Sequence, residues 1–181
     1  MMMDWFYISH KARQWWEDES GVAVMEAAIL FPPMLTLLMG TFDMGNAIVL
    51  SEKTITSSQV AADLVARNRT MDSASITDII SGAKLAFEPY ALSGYGIDVV
   101  SVRFDASQNP EVLWRETQDM EPNTEAVASL AGFAEEGEGM IVVTVKYTYA
   151  PQFAKFFMGD IDFTEVAFTR GRRSATVTWE E

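Results

Sequence analysis

The 181-residue sequence contains no cysteine and a single histidine, His10. The absence of cysteine excludes disulfides, thiol nucleophiles and cysteine metal sites together. One histidine gives little basis for a Ser-His-Asp triad or a histidine metal centre, and no phosphate loop or nucleotide fingerprint is present. We therefore expect no enzymatic activity, no cofactor and no bound metal.

Positive charge is also scarce. The chain has 13 Lys and Arg residues against 26 Asp and Glu residues, which gives a net charge of −13 and a pI near 4.4. Proteins that bind nucleic acid present a basic face to the phosphate backbone. This composition predicts that nucleic acid is not a partner.

Long apolar runs are equally rare, because only residues 22–42 form one of membrane length. At about 1.5 Å per residue, a helix over this segment spans roughly 31 Å, enough for the hydrocarbon core of a bilayer. A helix satisfies its own backbone groups where lipid offers no partners. The run predicts one transmembrane helix, with Asp43 and Asn46 marking its exit from lipid.

Glu26 is the one formal charge inside this run. A carboxylate at the centre of a bilayer costs roughly 2.5–3.5 kcal/mol on insertion scales, and less near the interface. One interpretation is that Glu26 lies at the interface and reaches water. The other is that its charge has a partner, as is usual for ionisable residues within membrane spans.

The second interpretation gains support from Gly21, which precedes Glu26 by five residues. A glycine and glutamate at this spacing, after a polar leader and at the entrance to an apolar run, resemble the prepilin processing site of type IV pilins. In that family a membrane peptidase cuts after the glycine, and the glutamate neutralises the new amine on a neighbouring subunit. The resemblance implies cleavage between Gly21 and Val22 and charge pairing through Glu26.

The segment Glu19–Pro33 looks more specifically like the N-terminus of TadE-like proteins, the minor pilins or pseudopilins of tight-adherence (Tad/Flp) pili. Ala27 stands where major Flp pilins usually have Tyr, and those pilins are much shorter than 181 residues. The resemblance implies a prepilin peptidase, other Tad/Flp pilins, inner-membrane assembly components and the lipid bilayer as partners. It also implies a cytoplasmic N-terminus and a periplasmic head. Removal of residues 1–21 would leave a chain without histidine.

Two prolines, Pro32 and Pro33, interrupt the apolar run. Each removes a helical hydrogen bond to the preceding turn, so the pair predicts a kink. Membrane helices tolerate such a kink better than soluble ones. A static kink and a point of flexing or unwinding during assembly are both open.

The remainder predicts a head domain over residues 43–181, after a leader (1–21) and a transmembrane helix (22–42). Ile48, Ile55 and Ala62 recur every seven residues, which indicates that the anchor helix continues to about Arg67 and lays this face on the head. A second helix is predicted from a capping start at Ser75. Its apolar positions are Ile76, Ile79, Ile80, Ala83 and Phe87, and Pro89 ends it.

Alternating apolar residues predict strands in the C-terminal half. Val100–Phe104 indicates a strand with one buried face, in a hairpin with the strand that holds Trp114. Glu116–Glu125 is expected to be an exposed loop. Met140–Tyr149 is the strongest strand pattern, and Phe163–Arg170 predicts the last long strand. The fold class is therefore α+β and pilin-like: a long N-terminal membrane helix, a second helix and an antiparallel sheet of about four strands.

Acidic clusters in the head favour solvated turns over metal sites. Glu135, Glu136 and Glu138 do not match the spacing of a calcium loop, and Asp160 and Asp162 are interpreted in the same way. The sequence thus predicts a minor pilin or pseudopilin that takes part in Tad/Flp pilus assembly and surface attachment. The alternative is an unprocessed single-pass inner-membrane protein whose periplasmic head binds envelope or secretion-system partners.

Overall fold

The structure, a computed structural model, describes residues 20–180. Two compact units adjoin in the chain at the Phe42–Asp43 bond. The first helix, α1, runs without interruption from Ser20 to Ala66, so the predicted continuation of the anchor helix into the head is confirmed. Its helical assignment passes through both Pro32 and Pro33.

In the described part of the first unit, most apolar residues are exposed. Every residue from 21 to 38 is exposed, and an 18-residue window of the helix has a mean hydropathy of 1.9. By length and composition, α1 is the one helix within residues 20–180 that can cross a membrane. The described chain is therefore compatible with a single-pass membrane protein.

In the second unit, α1 buries a face made largely of small residues. Spacings of three and four residues place them on one side of the helix. They are Ala47, Leu50, Thr54, Ser57, Ser58, Ala61, Ala62 and Val65. The prediction that Ile48 and Ile55 share this face with Ala62 is wrong, because Ile48 is exposed and Ile55 only half-buried. A strict seven-residue repeat drifts around a straight helix of 3.6 residues per turn.

Helix α2 spans Ser73–Leu85 and packs in the same core. Ile76, Ile79, Ile80 and Ala83 are buried as predicted. The predicted capping start at Ser75 is wrong, because the Asp72 side chain accepts a hydrogen bond from the Ser75 N–H at 2.7 Å and so caps the helix itself. At the other end, the Lys53 ammonium of α1 donates to the carbonyl oxygens of Ala86 (2.9 Å) and Glu88 (2.8 Å).

Four antiparallel strands form the main sheet, in the order β3-β2-β4-β5. These are β2 (Tyr95–Phe104), β3 (Pro110–Gln118), β4 (Gly139–Tyr149) and β5 (Ile161–Thr169). The predicted hairpin is β2–β3, and Trp114 is buried within it. The predicted α+β fold, with two helices of substantial length and a four-stranded antiparallel sheet, is confirmed.

The central strands β2 and β4 are buried on both faces, contrary to the single buried face expected for Val100–Phe104. One face packs on α1 and α2 through residues such as Val99 and Val143. The other is covered by α3 (Thr124–Ala128) and the segment after it, through residues such as Val102 and Leu130. The exposed loop predicted from Glu116 is also corrected, since β3 extends to Gln118.

A small parallel sheet completes the described fold. Strand β1 (Thr70–Met71) pairs in parallel with β6 (Thr178–Trp179). The preceding residue, Val177, offers its carbonyl oxygen to the Ser101 hydroxyl and to the Trp114 indole N–H, each at 2.8 Å. These bonds hold the C-terminal segment against the main sheet.

Candidate functional site

Gly21, Val22 and Glu26 lie in the first turns of α1, and all three are exposed. Val22 and Glu26 are four residues apart, so they lie on one face of the helix, about 6 Å apart along its axis. An ideal Cβ built at Gly21 meets no atom within 4 Å. Within the described residues, no atom close to Gly21 obstructs the approach of a second protein to the Gly21–Val22 bond.

Glu26 has no charged partner within the described part of the chain. The ion pairs of residues 20–180 are all in the second unit. A carboxylate that enters lipid on an apolar helix needs a counter-charge to offset the loss of water. The arrangement leaves Glu26 available to a cation from outside this stretch.

Pro32 and Pro33 have no N–H to donate, so the carbonyl oxygens of Ala28 and Ile29 lack their usual helical donors. One turn later, the Thr36 hydroxyl donates to the Pro32 carbonyl at 2.9 Å. Hydroxyl bonds of this kind bend helices slightly. The predicted kink at the two prolines stays a prediction, since the continuous helical assignment gives no bend angle.

The second unit opens with a buried carboxylate, Asp43, which is only 3% exposed. Oδ1 accepts hydrogen bonds from the Tyr149 hydroxyl and the Gln152 N–H, each at 3.0 Å. Oδ2 accepts from the N–H groups of Phe153 (2.9 Å) and Ala154 (2.5 Å). One side chain thus holds the end of β4 and the start of the 3₁₀ helix Ala154–Phe156 on α1.

The surroundings of Asp43 favour its charged form. Burial on its own raises the pKa of this carboxyl, but the N–H groups of Ala154, Phe153 and Gln152 and the Tyr149 hydroxyl together outweigh burial. The pKa of Asp43 therefore lies below its ordinary value. For Tyr149, burial and then the neighbouring carboxylate raise the pKa, so its hydroxyl stays a donor.

The sequence marked Asp43 only as the exit from lipid and missed this role. Its partners lie 106 to 111 residues away in the chain, so no local pattern points to them. The nearest signal is indirect: an acidic residue directly after the apolar run, and an apolar turn after the strand that Pro151 stops. Only the sheet topology brings the two together.

Two of the acidic residues that the sequence assigned to solvated turns, Glu138 and Asp162, form ion pairs and hydrogen bonds. Glu138 Oε1 lies 3.1 Å from Arg170 Nη1, and Glu138 Oε2 accepts from the Glu135 N–H at 3.2 Å. Asp162 accepts from the Thr148 hydroxyl at 2.6 Å, and chiefly this bond lowers its pKa. Within residues 20–180, no group of three or more His, Cys, Asp or Glu residues is placed to hold a metal ion.

These features define a class: a single-helix membrane-anchor candidate joined to an α+β head. The model of the TadE-like protein family matches residues 21–63. The match begins at Gly21 and covers the apolar segment and much of the head portion of α1, so the resemblance to TadE-like proteins is confirmed over that stretch. No curated protein matches the chain, and no solved structure does.

The match associates the chain with the Tad pilus and suggests interaction with other pilus components. The segment 21–63 ends before α2 and the whole main sheet. It therefore bears on the anchor and on Asp43, and gives no information on what the sheet of the head binds.

Proposed function

We propose that this chain is a minor pilin or pseudopilin of a Tad/Flp pilus that takes part in pilus assembly and so in surface attachment. It is made as a prepilin and cut after Gly21 by a prepilin peptidase. Residues 22–42 hold it in the bacterial inner membrane, with the N-terminus cytoplasmic and the head periplasmic.

One observation carries this proposal. Gly21 and Glu26 stand at the entrance of a fully exposed apolar helix segment, and the TadE-like family match begins at that glycine. Cleavage would create an amine at Val22, one helical turn from the Glu26 carboxylate. The amine of a neighbouring subunit would supply the counter-charge for Glu26, so that pairing favours assembly within lipid.

The proposed role is structural rather than enzymatic. Removal of residues 1–21 would remove His10, leaving a chain without histidine or cysteine. Such a chain lacks the side chains that most often act as general base or thiol nucleophile.

The test is replacement of Glu26 in a strain whose own copy of the gene is deleted. Glu26→Gln keeps the shape of the side chain and removes its charge. We expect surface pili to fall by about tenfold or more, because each loss of about 1.4 kcal/mol in an assembly contact is a factor of ten. The amount of protein in the membrane fraction should stay the same or rise, since a neutral residue inserts more readily.

The matched control is Glu52→Gln, which removes an exposed charge from the same helix within the second unit. It should leave pilus number unchanged. If Glu26→Gln also leaves pilus number unchanged, the charge-pairing role is wrong, and an unprocessed anchor with a partner-binding head becomes the better account.

A further inference from the structure

The segment from Phe153 to Met158 reverses the usual distribution of side chains in a water-soluble loop. Its small residue, Ala154, is buried, while Phe156 is 96% exposed and Phe157 is 78% exposed. Phe153 is 46% exposed and Met158 is 40% exposed. Contiguous exposed apolar surface of this kind marks a site of interaction with a membrane or another molecule.

The position of this loop relative to Asp43 favours a membrane over another molecule as its partner. Asp43 holds the backbone at residues 152–154, and Asp43 follows the 22–42 segment directly. If that segment crosses the bilayer, as the proposed function requires, the residue to which the loop is bonded lies at the membrane boundary. The loop is then held where the chain leaves the lipid.

The composition of the loop suits a bilayer interface. Amphipathic segments that lie in a bilayer interface bury Trp, Phe or Leu at the boundary of the acyl chains and present Lys or Arg on the polar side. Lys155 lies between the exposed Phe153 and Phe156 and is itself exposed. Anionic lipid attracts such a residue.

Most backbone N–H groups of the loop already have hydrogen-bond acceptors within the protein, as a location in lipid requires. Asp43 accepts from three consecutive N–H groups, and the N–H groups of Phe157 and Met158 both donate to the Ala154 carbonyl at 2.8 Å. Pro151 has no N–H to satisfy. Unsatisfied backbone groups are what keep irregular loops out of lipid, and here most donors are already bonded.

We propose that the Phe153–Met158 loop is a second membrane contact, inserting Phe156 and Phe157 into the bilayer interface beside the exit of the anchor. The proposal rests on the membrane placement of residues 22–42 in the proposed function. It gives the head a fixed attachment to the lipid surface in addition to the helix.

The absence of cysteine makes a direct test available, because a single introduced cysteine is the sole labelling site in the full chain. An environment-sensitive NBD fluorophore is attached at Phe157→Cys, and the protein is reconstituted in vesicles of phosphatidylcholine with a minority of phosphatidylglycerol. Lipids with a doxyl group on the acyl chain then quench any fluorophore that enters the bilayer.

Two further variants serve as matched references. Phe133→Cys labels an exposed phenylalanine (68%) in the segment after α3, and Leu30→Cys labels the anchor. We expect blue-shifted emission at positions 157 and 30, with quenching at least several-fold stronger than at position 133. Quenching at 157 should be greatest for a doxyl group near the head group.

Other results overturn the proposal, each in a different way. Quenching at 30 with no more quenching at 157 than at 133 leaves the anchor intact and rejects the loop contact. Blue-shifted emission at 157 without quenching shows that protein, rather than lipid, covers the loop, and rejects the membrane contact. Absence of quenching at all three positions rejects the membrane placement, and with it both proposals.

Discussion

At the scale of single residues, Asp43 and Glu26 show opposite solutions for a carboxylate beside apolar surroundings. Asp43 is buried, and four donors from its own chain satisfy it. Glu26 is exposed, and within residues 20–180 no cation pairs with it. The first arrangement stabilises the fold, and the second leaves the charge that the proposed pairing between subunits would use.

The charge on Asp43 makes the stability of the head depend on pH. Its pKa in the folded chain lies below the ordinary value of 3.8, so its contribution is complete above that value and is lost as the pH falls toward the folded pKa. We expect Asp43→Asn to lower the Tm at pH 7, since an amide cannot accept from all four donors. The variant should also lose less Tm than the parent between pH 5 and pH 3.

Thermal unfolding of the full chain in detergent, followed by circular dichroism, measures both effects. Asp160→Asn removes an exposed carboxylate from the same part of the head and is the control. If the Tm of Asp43→Asn and the Tm of the parent fall by the same amount between pH 5 and pH 3, this pH dependence does not come from Asp43.

At the scale of elements, α1 is one helix with two environments. From residue 21 to residue 38 it is exposed on every side, whereas from Ala47 onward one face enters the core. Most residues of that face are Ala, Ser or Thr, which allow a close approach of neighbouring elements. The Ser57 hydroxyl donates to the Ala83 carbonyl of α2 at 2.9 Å and lies 2.9 Å from the Tyr95 hydroxyl of β2.

The close packing of this face predicts a penalty for a larger side chain. Ala61 is completely buried, so Ala61→Leu should destabilise the head by about 1–3 kcal/mol through overpacking. Gln59→Leu adds a leucine at an exposed position of the same helix and should change stability by less than about 0.5 kcal/mol. Thermal unfolding of the two variants in the same detergent compares them, and equal Tm values would mean that the face is not closely packed.

The elements also show how far sequence patterns reach. The 3.6-residue pattern of Ile76–Ala83 identifies α2 because burial there follows the geometry of one helix. The period-two pattern of Met140–Tyr149 identifies β4 as a strand, but not its second buried face, which depends on packing against other elements. The face of α1 that enters the core escaped prediction, since Thr54 and Ser57 are buried there while Ile48 is exposed. The Thr54 hydroxyl donates to the Leu50 carbonyl of its own helix at 2.8 Å, whereas the Ser57 hydroxyl depends on the Ala83 carbonyl, which only tertiary packing supplies.

The same limit applies to the candidate sites. Gly21 and Glu26 were recognisable because their spacing lies within one short segment. The roles of Asp43 and of the exposed Phe156 could not be recognised in this way, because they depend on contacts between residues more than a hundred positions apart. The pairing of β1 with β6 is equally hard to predict, because a strand of two residues is too short to show an alternating pattern.

At the scale of the whole molecule, a membrane-anchor candidate continues in the chain into a head with a well-formed core. The family match reaches from residue 21 to residue 63, so it informs the anchor far better than the sheet. Processing at Gly21 is the step that distinguishes an assembling pilin from a permanent anchor. It is therefore the central claim to measure.

The most direct measurement is the N-terminal residue of the protein isolated from membranes of a host that carries a prepilin peptidase. Intact mass and N-terminal peptide mapping determine it for the parent, for Gly21→Leu and for Gly40→Leu. The two glycines lie on one helix, and a Cβ at either meets no atom within 4 Å, so the variants are matched. The account predicts a start at Val22 for the parent and for Gly40→Leu, and an uncut chain for Gly21→Leu. A parent chain that still carries residues 1–21 would contradict the account and favour a permanent single-pass anchor.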